Sequence, residues 1–308
     1  GVDLVPLVDE RRHLVAIALD DDHEGRIGRH RVADDAPTLM VAEIGLNHQG
    51  SVAAAKELVE ASIGAGADVV KFQLRDLDAL YRQGAAGSSG EDLGPQYTLD
   101  LLAKYDLPAD GLFEGFDHCD ALDVDVMCTA WDLPSVDRLA ERPVAAFKVA
   151  SAHLTHHPLL TRMAAHGLPM VVSTGMATEA EIVESVALLR ATGVPLALLH
   201  CQSTYPAPFK DLNLRYLPRL AEIGACPVGW SGHERGHHVP VAAVALGARI
   251  VEKHITSDRS LEGNDHKVSL LPHEFAAMVE QVRDVESALY RASVANGYVA
   301  KHGREGER

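Results

Sequence analysis

Basic residues are scarce in this sequence. The chain has 28 lysines and arginines against 44 acidic residues, a formal net charge of -16. That balance argues against a uniformly basic nucleic-acid face. It leaves room for a locally positive anion site inside an acidic protein. Cysteine is scarce too. Cys119, Cys128, Cys201 and Cys226 form no C-x-x-C pair, so a disulfide framework is not indicated, and buried free thiols in a reducing cytoplasm are expected. No apolar run approaches the roughly 18 residues of a membrane span. No signal peptide opens the sequence, so neither a membrane role nor export is expected. Nothing resembling G-x-G-x-x-G follows the first apolar run, which lowers an open dinucleotide-binding sheet. What remains is a chain of 308 residues that is 47% hydrophobic and 23% charged, enough for one large core.

Short apolar runs alternate with longer amphipathic stretches. The expected strands are Leu39–Gly45, Val69–Gln73, Asp125–Thr129, Ala146–Val149, Met170–Thr174, Leu196–Cys201, Val228–Ser231 and Ile250–His254. Each is rich in Val, Ile, Leu or Met, as strands buried on both faces are. Helical patterns fall at Val52–Ala65, Asp110–Ala121, Leu133–Ala140, Pro158–His166, Glu179–Ala191, Leu214–Ile223, Val239–Leu246 and Pro272–Tyr290. In Glu179–Ala191 the residues Ile182, Val186 and Leu189 share a face, and Thr178 with Glu181 form a capping box. Eight strand–helix units in strict alternation predict an α/β fold of the (β/α)₈ type, a closed parallel barrel over residues 37–292. Leu74–Asp106 is a long insertion whose Gly84–Gly94 portion is rich in Gly and Ser, a candidate mobile loop near the site. Residues 1–36 form a separate segment. Within it Val2–Asp20 reads as strand, turn and strand, either a hairpin capping the barrel bottom, which is favoured, or a remnant resembling the end of a CBS module. Residues 293–308 are a polar, loose tail.

Chemistry in such barrels sits at the carboxyl ends of the strands. Here those ends carry Glu43, Asn47 and His48; Lys71 and Gln73; Thr129; Lys148 and Ser151; Ser173 and Thr174; His200 and Tyr205; Ser231 and His233; and Glu252, Lys253 and His254, with Asp265 beyond. A lone Lys or Ser at a strand end is more often a local hydrogen-bonding group. Two lysines and several hydroxyls converging on one mouth are harder to dismiss. A dianionic phosphate needs cationic and hydroxyl donors, which Lys71, Lys148, Thr129, Ser151, Ser173 and Ser231 can supply. His233 and His254 end adjacent strands, roughly 5 Å apart, so both imidazoles can reach one ion. His156, His157, His237 and His238 are expected to be bystanders; the consecutive His237–His238 pair diverges in direction and ranks below His233 with His254.

These residues fall into longer matching segments. AEIGLNHQG (Ala42–Gly50) followed by GADVVKFQ (Gly66–Gln73) resembles the opening of the sialic acid (N-acetylneuraminate) synthase family. The match continues through FKVAS (Phe147–Ser151), STGM (Ser173–Met176), LLHCQSTYPAP (Leu198–Pro208), EKHIT (Glu252–Thr256) and GNDHKVS (Gly263–Ser269), in the family's order from Pro37 to Tyr290. Any one piece is weak, and the combination is specific. The resemblance implies a phosphoenolpyruvate-dependent condensation with a hexosamine-type sugar aldehyde, giving a nonulosonic acid and phosphate. It implies a divalent metal, manganese or magnesium, held by His233 and His254. It puts phosphoenolpyruvate on Lys71, Thr129, Lys148, Ser151, Ser173 and Ser231. It puts Gln73, His153, Ser203, Tyr205 and Asp265 near the sugar, and gives Glu43, Asp265, Lys71 and Tyr205 to the catalytic set. A cytoplasmic homodimer is the expected form.

The sequence departs from the family pattern at three positions. His153 stands where members often have a carboxylate, Gly232 where they often have Asp, and Ser203 where they often have Asn. The segments match the barrel alone, without the C-terminal antifreeze-like domain that in many members lends an arginine to the neighbouring subunit's site. The expectation is therefore that phosphoenolpyruvate use survives while N-acetylmannosamine is a poor acceptor and a modified hexose is preferred. Three competing readings are a related 3-deoxy-ulosonic acid phosphate synthase, a Schiff-base aldolase using Lys71 or Lys148, and a non-catalytic barrel sensor. Both metal histidines and both lysines are present, which argues against the sensor.

Overall fold

A computed structural model describes residues 25–80, 99–142 and 144–289. The chain begins with β1 (Arg26–Ile27), β2 (His30–Arg31), β3 (Leu39–Glu43), α1 (Val52–Gly64) and β4 (Val69–Leu74). Next come α2 (Leu77–Leu80), α3 (Leu99–Tyr105), α4 (Ala109–Ala121), β5 (Asp125–Ala130), α5 (Leu133–Ala140) and β6 (Ala146–Val149). They are followed by α6 (His157–Ala164), β7 (Met170–Ser173), α7 (Glu179–Thr192), β8 (Leu196–Cys201), α8 (Leu217–Gly224) and β9 (Val228–Gly232). The last elements are α9 (His238–Ala245), β10 (Ile250–His254), α10 (Asn264–Val268) and α11 (Pro272–Ala288). Strands β3 to β10 pair in parallel and close, β10 returning to β3. This is the eight-stranded barrel that the alternation predicts.

Side chains of a strand alternate between its faces, and the two faces bury different things. Outward residues such as Met40, Phe72, Cys128, Phe147, Met170, Leu198 and Trp230 pack against the helices in one continuous layer. Inward residues change character along the barrel axis. Leu39, Val41, Val69, Met127, Ala146, Val171, Leu199 and Ile250 fill the lower interior. Each of the larger side chains among them stabilises the fold by about 2 kcal/mol. Two residues further along the same inward faces stand Glu43, Lys71, Thr129, Lys148, Ser173 and Glu252, all buried.

The helices start where the sequence provides caps. Ser51 accepts from Ala54 N–H at the head of α1, and Asp132 accepts from Ser135 N–H in α5. Thr178 and Glu181 form the expected capping box of α7, which ends at Gly193 with φ 76°. The single helix expected over Leu214–Ile223 is instead a 3₁₀ turn, Leu214–Tyr216, followed by α8. Pro218 fits only in the first turn of an α-helix, so it fixes the start of α8 there. The insertion after β4 is not loop throughout, since its ends form α2 and α3.

A hairpin does close the barrel bottom, built from β1 and β2. Ile27 and Val32 complete the lower apolar cluster, and Arg29 donates its backbone N–H to Asp125 at 2.8 Å. The strands expected in Val2–Asp20, the Gly84–Gly94 loop and the 293–308 tail lie outside the described residues.

Candidate active site

The strand register sets the charged residues side by side. Glu43 is level with Lys71 and with His254. Thr129 is level with Gln73 and Lys148, and Ser231 with Glu252. A cavity of about 340 Å³ opens above them. Glu43, Lys71, Gln73, Thr129, Lys148, Ser151, Ser173, Ser203, Tyr205, Ser231, His233 and His254 all line it.

Two lysines and two carboxylates form the floor. Lys71 Nζ lies 2.9 Å from Glu43 and 3.2 Å from Glu252. Burial pulls the Lys71 ammonium down, but Glu252 and Glu43 outweigh it and hold the group above its ordinary value. Lys148 Nζ donates to Ser173 Oγ at 2.7 Å and to the Val149 carbonyl at 3.0 Å, with Glu252 at 3.9 Å. Its pKa is lowered, chiefly by burial, against the opposing pull of Glu252. Glu252 also accepts from Ser231 Oγ at 3.1 Å. Burial would raise its carboxyl, and Lys148 and Lys71 overcome that to hold it below the ordinary range. Lys148 is therefore the under-compensated cation of the floor, and an arriving dianion would favour its charged form.

Ser151, on a 3₁₀ turn after β6, accepts from Gly175 N–H at 3.0 Å and lies 3.0 Å from Cys201 Sγ. Gly175 must be glycine, because a Cβ there would meet Cys201 Sγ at 2.4 Å. On the wall facing the lysines, Tyr205 stacks on His233 with ring centroids 4.1 Å apart, and its hydroxyl is 2.8 Å from His233 Nε2. His233 Nδ1 is 2.7 Å from the Gln202 carbonyl. A carbonyl only accepts, so Nδ1 carries the proton, and the Nε2 lone pair, which here accepts from the Tyr205 hydroxyl, is the ring position open to a ligand. Burial and the neighbouring His254 push the His233 pKa down to about 3, so the ring is neutral. The His254 ring lies 5.7 Å from that of His233, and its Nδ1 is buried without a hydrogen-bond partner. Two facing imidazoles, one orphaned nitrogen and one lone pair fixed by its backbone partner suit a divalent cation. Among the described residues no group of three or more His, Cys, Asp or Glu is arranged to hold a metal, so remaining ligand positions would fall to water or substrate.

Two candidate residues stand outside the cavity wall. Asp265, on α10, is buried 3.9 Å from His254 Nδ1. Gly45, with φ 54°, keeps the space between Asp265, Glu43 and Gln73, where a Cβ would come within 3.0 to 3.2 Å of all three. His153 lies behind Trp131, their rings edge to face at 5.1 Å. Several strand-end residues serve the scaffold instead. Asn47 donates to the Ile255 carbonyl and Ser269 Oγ at 2.8 and 2.9 Å. His200 bonds the Leu212 carbonyl at 2.8 Å. Lys253 points outward to Glu234 at 2.9 Å. Glu252, Arg75 and Trp131 also line the wall; sequence reasoning assigns Arg75 and Trp131 no role and Glu252 only a place at a strand end. The signal for Glu252 is its inward parity with His254.

The geometry can be set beside known proteins. The profile of the NeuB family matches residues 58–293. The chain belongs to the NeuB family. Among NeuB-like relatives, N,N'-diacetyllegionaminic acid synthase of Campylobacter jejuni is 36% identical over 82% of this chain and 77% of its own length. Human N-acetylneuraminate-9-phosphate synthase is 34% identical over 84% of this chain and 73% of its own. The crystal structure of N-acetylneuraminic acid synthetase from Leptospira borgpetersenii, in complex with citrate, superimposes with a TM-score of 0.79 at 28% identity, covering 87% and 92% of the two chains.

Proposed function

We propose that this NeuB-family chain condenses phosphoenolpyruvate with a hexosamine-type sugar aldehyde to form a nonulosonic acid, releasing phosphate. The observation that carries this is the floor of the cavity. Two buried lysines and the hydroxyls of Thr129, Ser173 and Ser231 share one pocket with the imidazoles of His233 and His254. The first set suits a phosphorylated carboxylate. The second suits a manganese or magnesium ion, which when bound supplies Lewis acidity to the aldehyde.

In this reading Lys71, Lys148, Thr129, Ser151, Ser173 and Ser231 bind phosphoenolpyruvate. Carbon 3 of the enol attacks the aldehyde carbon, and carbon 2 gains cationic character. Water adds at carbon 2, and phosphate departs with its bridging oxygen. Glu43, held by Lys71 and by Gln73 Nε2 at 2.6 Å, orients that water and takes its proton in this reading. Tyr205, Ser203, Gln73 and, behind the wall, Asp265 and His153 complete the sugar end. His153 is neutral, its pKa pushed down to about 4 by burial and by His156. It offers one donor and one acceptor where a carboxylate would offer several acceptors. Relatives that differ in whether their product is named as a phosphate leave both acceptor types to be tried. Among the described residues no helix is long and apolar enough to cross a membrane. The proposal includes a cytoplasmic homodimer, for which light scattering at working concentration is the check.

Phosphate release from phosphoenolpyruvate with manganese and a panel of hexosamines tests the function. Release that depends on the sugar, with a product of the summed carbon count, supports it. No release with any sugar refutes it.

A further inference from the structure

Among the described residues five cationic side chains of lysine and arginine are buried: Lys71, Arg75, Lys148, Arg249 and Lys253. Four have a carboxylate within 4.0 Å. Lys71 has Glu43 and Glu252, Lys148 has Glu252, Arg249 has Asp34 and Lys253 has Glu234. Arg75 has none among the described residues. Asp106 is near enough for its carboxyl, raised mainly by burial, to be drawn back in part by Arg75, but the two make no ion pair. A buried cation with no ion-pair partner among the described residues is costly, so a protein that keeps one has a use for it.

Arg75 lines the same cavity as the two floor lysines. It is held there by its neighbours. Its guanidinium lies over the Trp131 ring, 4.9 Å from the centroid, and Nη2 donates to Gln73 Oε1. Gln73 Oε1 in turn accepts from Trp131 Nε1 at 3.1 Å. Lys71, Gln73 and Arg75 alternate along one chain direction. Arg75 lies just beyond the end of β4, two residues past Gln73 on the side away from Lys71. The lysines mark the phosphoenolpyruvate end, so Arg75 marks the far end of the acceptor.

We propose that Arg75 recognises an anion on the acceptor sugar, a phosphomonoester at the end remote from the aldehyde. Arg75 would thus set the substrate class as a hexosamine phosphate. This rests on the function proposed above. A guanidinium fork grips a phosphate through two parallel hydrogen bonds, and phosphate is the anion a hexose carries on its terminal hydroxyl while carbon 1 stays an aldehyde.

The test compares kcat/KM for N-acetylmannosamine and its 6-phosphate, with manganese and phosphoenolpyruvate, in the full chain and in Arg75→Gln and Arg75→Lys. The expected result is a preference for the phosphorylated sugar of at least about tenfold, the scale of one charge-assisted contact. Arg75→Gln should lose that preference through the KM of the sugar, and Arg75→Lys should keep part of it. Equal or better use of the unphosphorylated sugar by the unmodified chain overturns the proposal, as does a preference that survives in Arg75→Gln. If neither sugar releases phosphate, the proposed condensation fails instead. Calorimetric binding of the 6-phosphate then decides for Arg75: binding at least about tenfold weaker in Arg75→Gln supports recognition, and equal binding overturns it.

Discussion

The lower and upper halves of the barrel interior are built from the same strands, on the same inward face, two residues apart. Below, Val41, Val69, Met127 and Ala146 make a dry apolar plug closed by Ile27 and Val32. Above, the next inward positions are Glu43, Lys71, Thr129 and Lys148. Burial is nearly complete in both halves, so exposure does not separate them. They differ in what burial costs. The lower half gains stability from every side chain it encloses. The upper half encloses charges whose desolvation their mutual pairing offsets only in part. A position in the lower half is fixed by packing, and one in the upper half by charge pairing and hydrogen bonding.

The largest effect should come from breaking the lower half with the chemistry of the upper. Met127→Asp puts an unpaired carboxylate in the plug and should cost more than about 4 kcal/mol, read as loss of the cooperative thermal transition. A mild shift in Tm would show the plug to be wetter than described.

A second effect concerns the upper rim. His48 is buried and its pKa is pushed down to about 4, by burial first and by Arg75 next. Its unfolded value is 6.5, so the unfolded chain binds the proton that the folded chain refuses. The resulting stability is present above pH 6.5 and is lost as pH falls from there toward 4, about 3 kcal/mol in all. Denaturant titrations across that range should show the slope, and His48→Asn should flatten it. An unchanged slope in the variant would assign it to other groups.

The third effect should separate function from stability. Lys148→Met removes the under-compensated cation while keeping its length. Phosphoenolpyruvate affinity should fall by about 2 kcal/mol, roughly thirtyfold, with Tm unchanged or raised. A lower Tm with unchanged affinity would place Lys148 with the scaffold. The smallest effect belongs to the bottom edge, where Arg29 is 46% exposed beside Asp125. Arg29→Ala should leave the thermal midpoint close to that of the unmodified chain and leave turnover alone.

The sequence makes the barrel legible because eight apolar runs recur with helical patterns between them, and the runs match the observed strands to within one or two residues. The upper half is legible for a related reason: polar residues that end an apolar run stand out against it. The less legible features lack that contrast. Glu252 sits beside Lys253, and only its parity with His254 separates the one that points into the barrel from the one that points toward Glu234. Arg75 follows the end of β4 in what reads as loop, and its lack of an ion-pair partner among the described residues is a property of space. The helices α2 and α3 lie in a polar insertion without strong periodicity. His153 follows two residues after the matching segment FKVAS, yet the fold sets it behind Trp131.

The central claim is that the upper half performs a condensation in which the carbon 2–oxygen bond of phosphoenolpyruvate breaks. Phosphoenolpyruvate isotopically labelled in the bridging oxygen tests it most directly, with the products separated and weighed by mass spectrometry. The account expects the label in the released phosphate. Label retained in the sugar acid would contradict it.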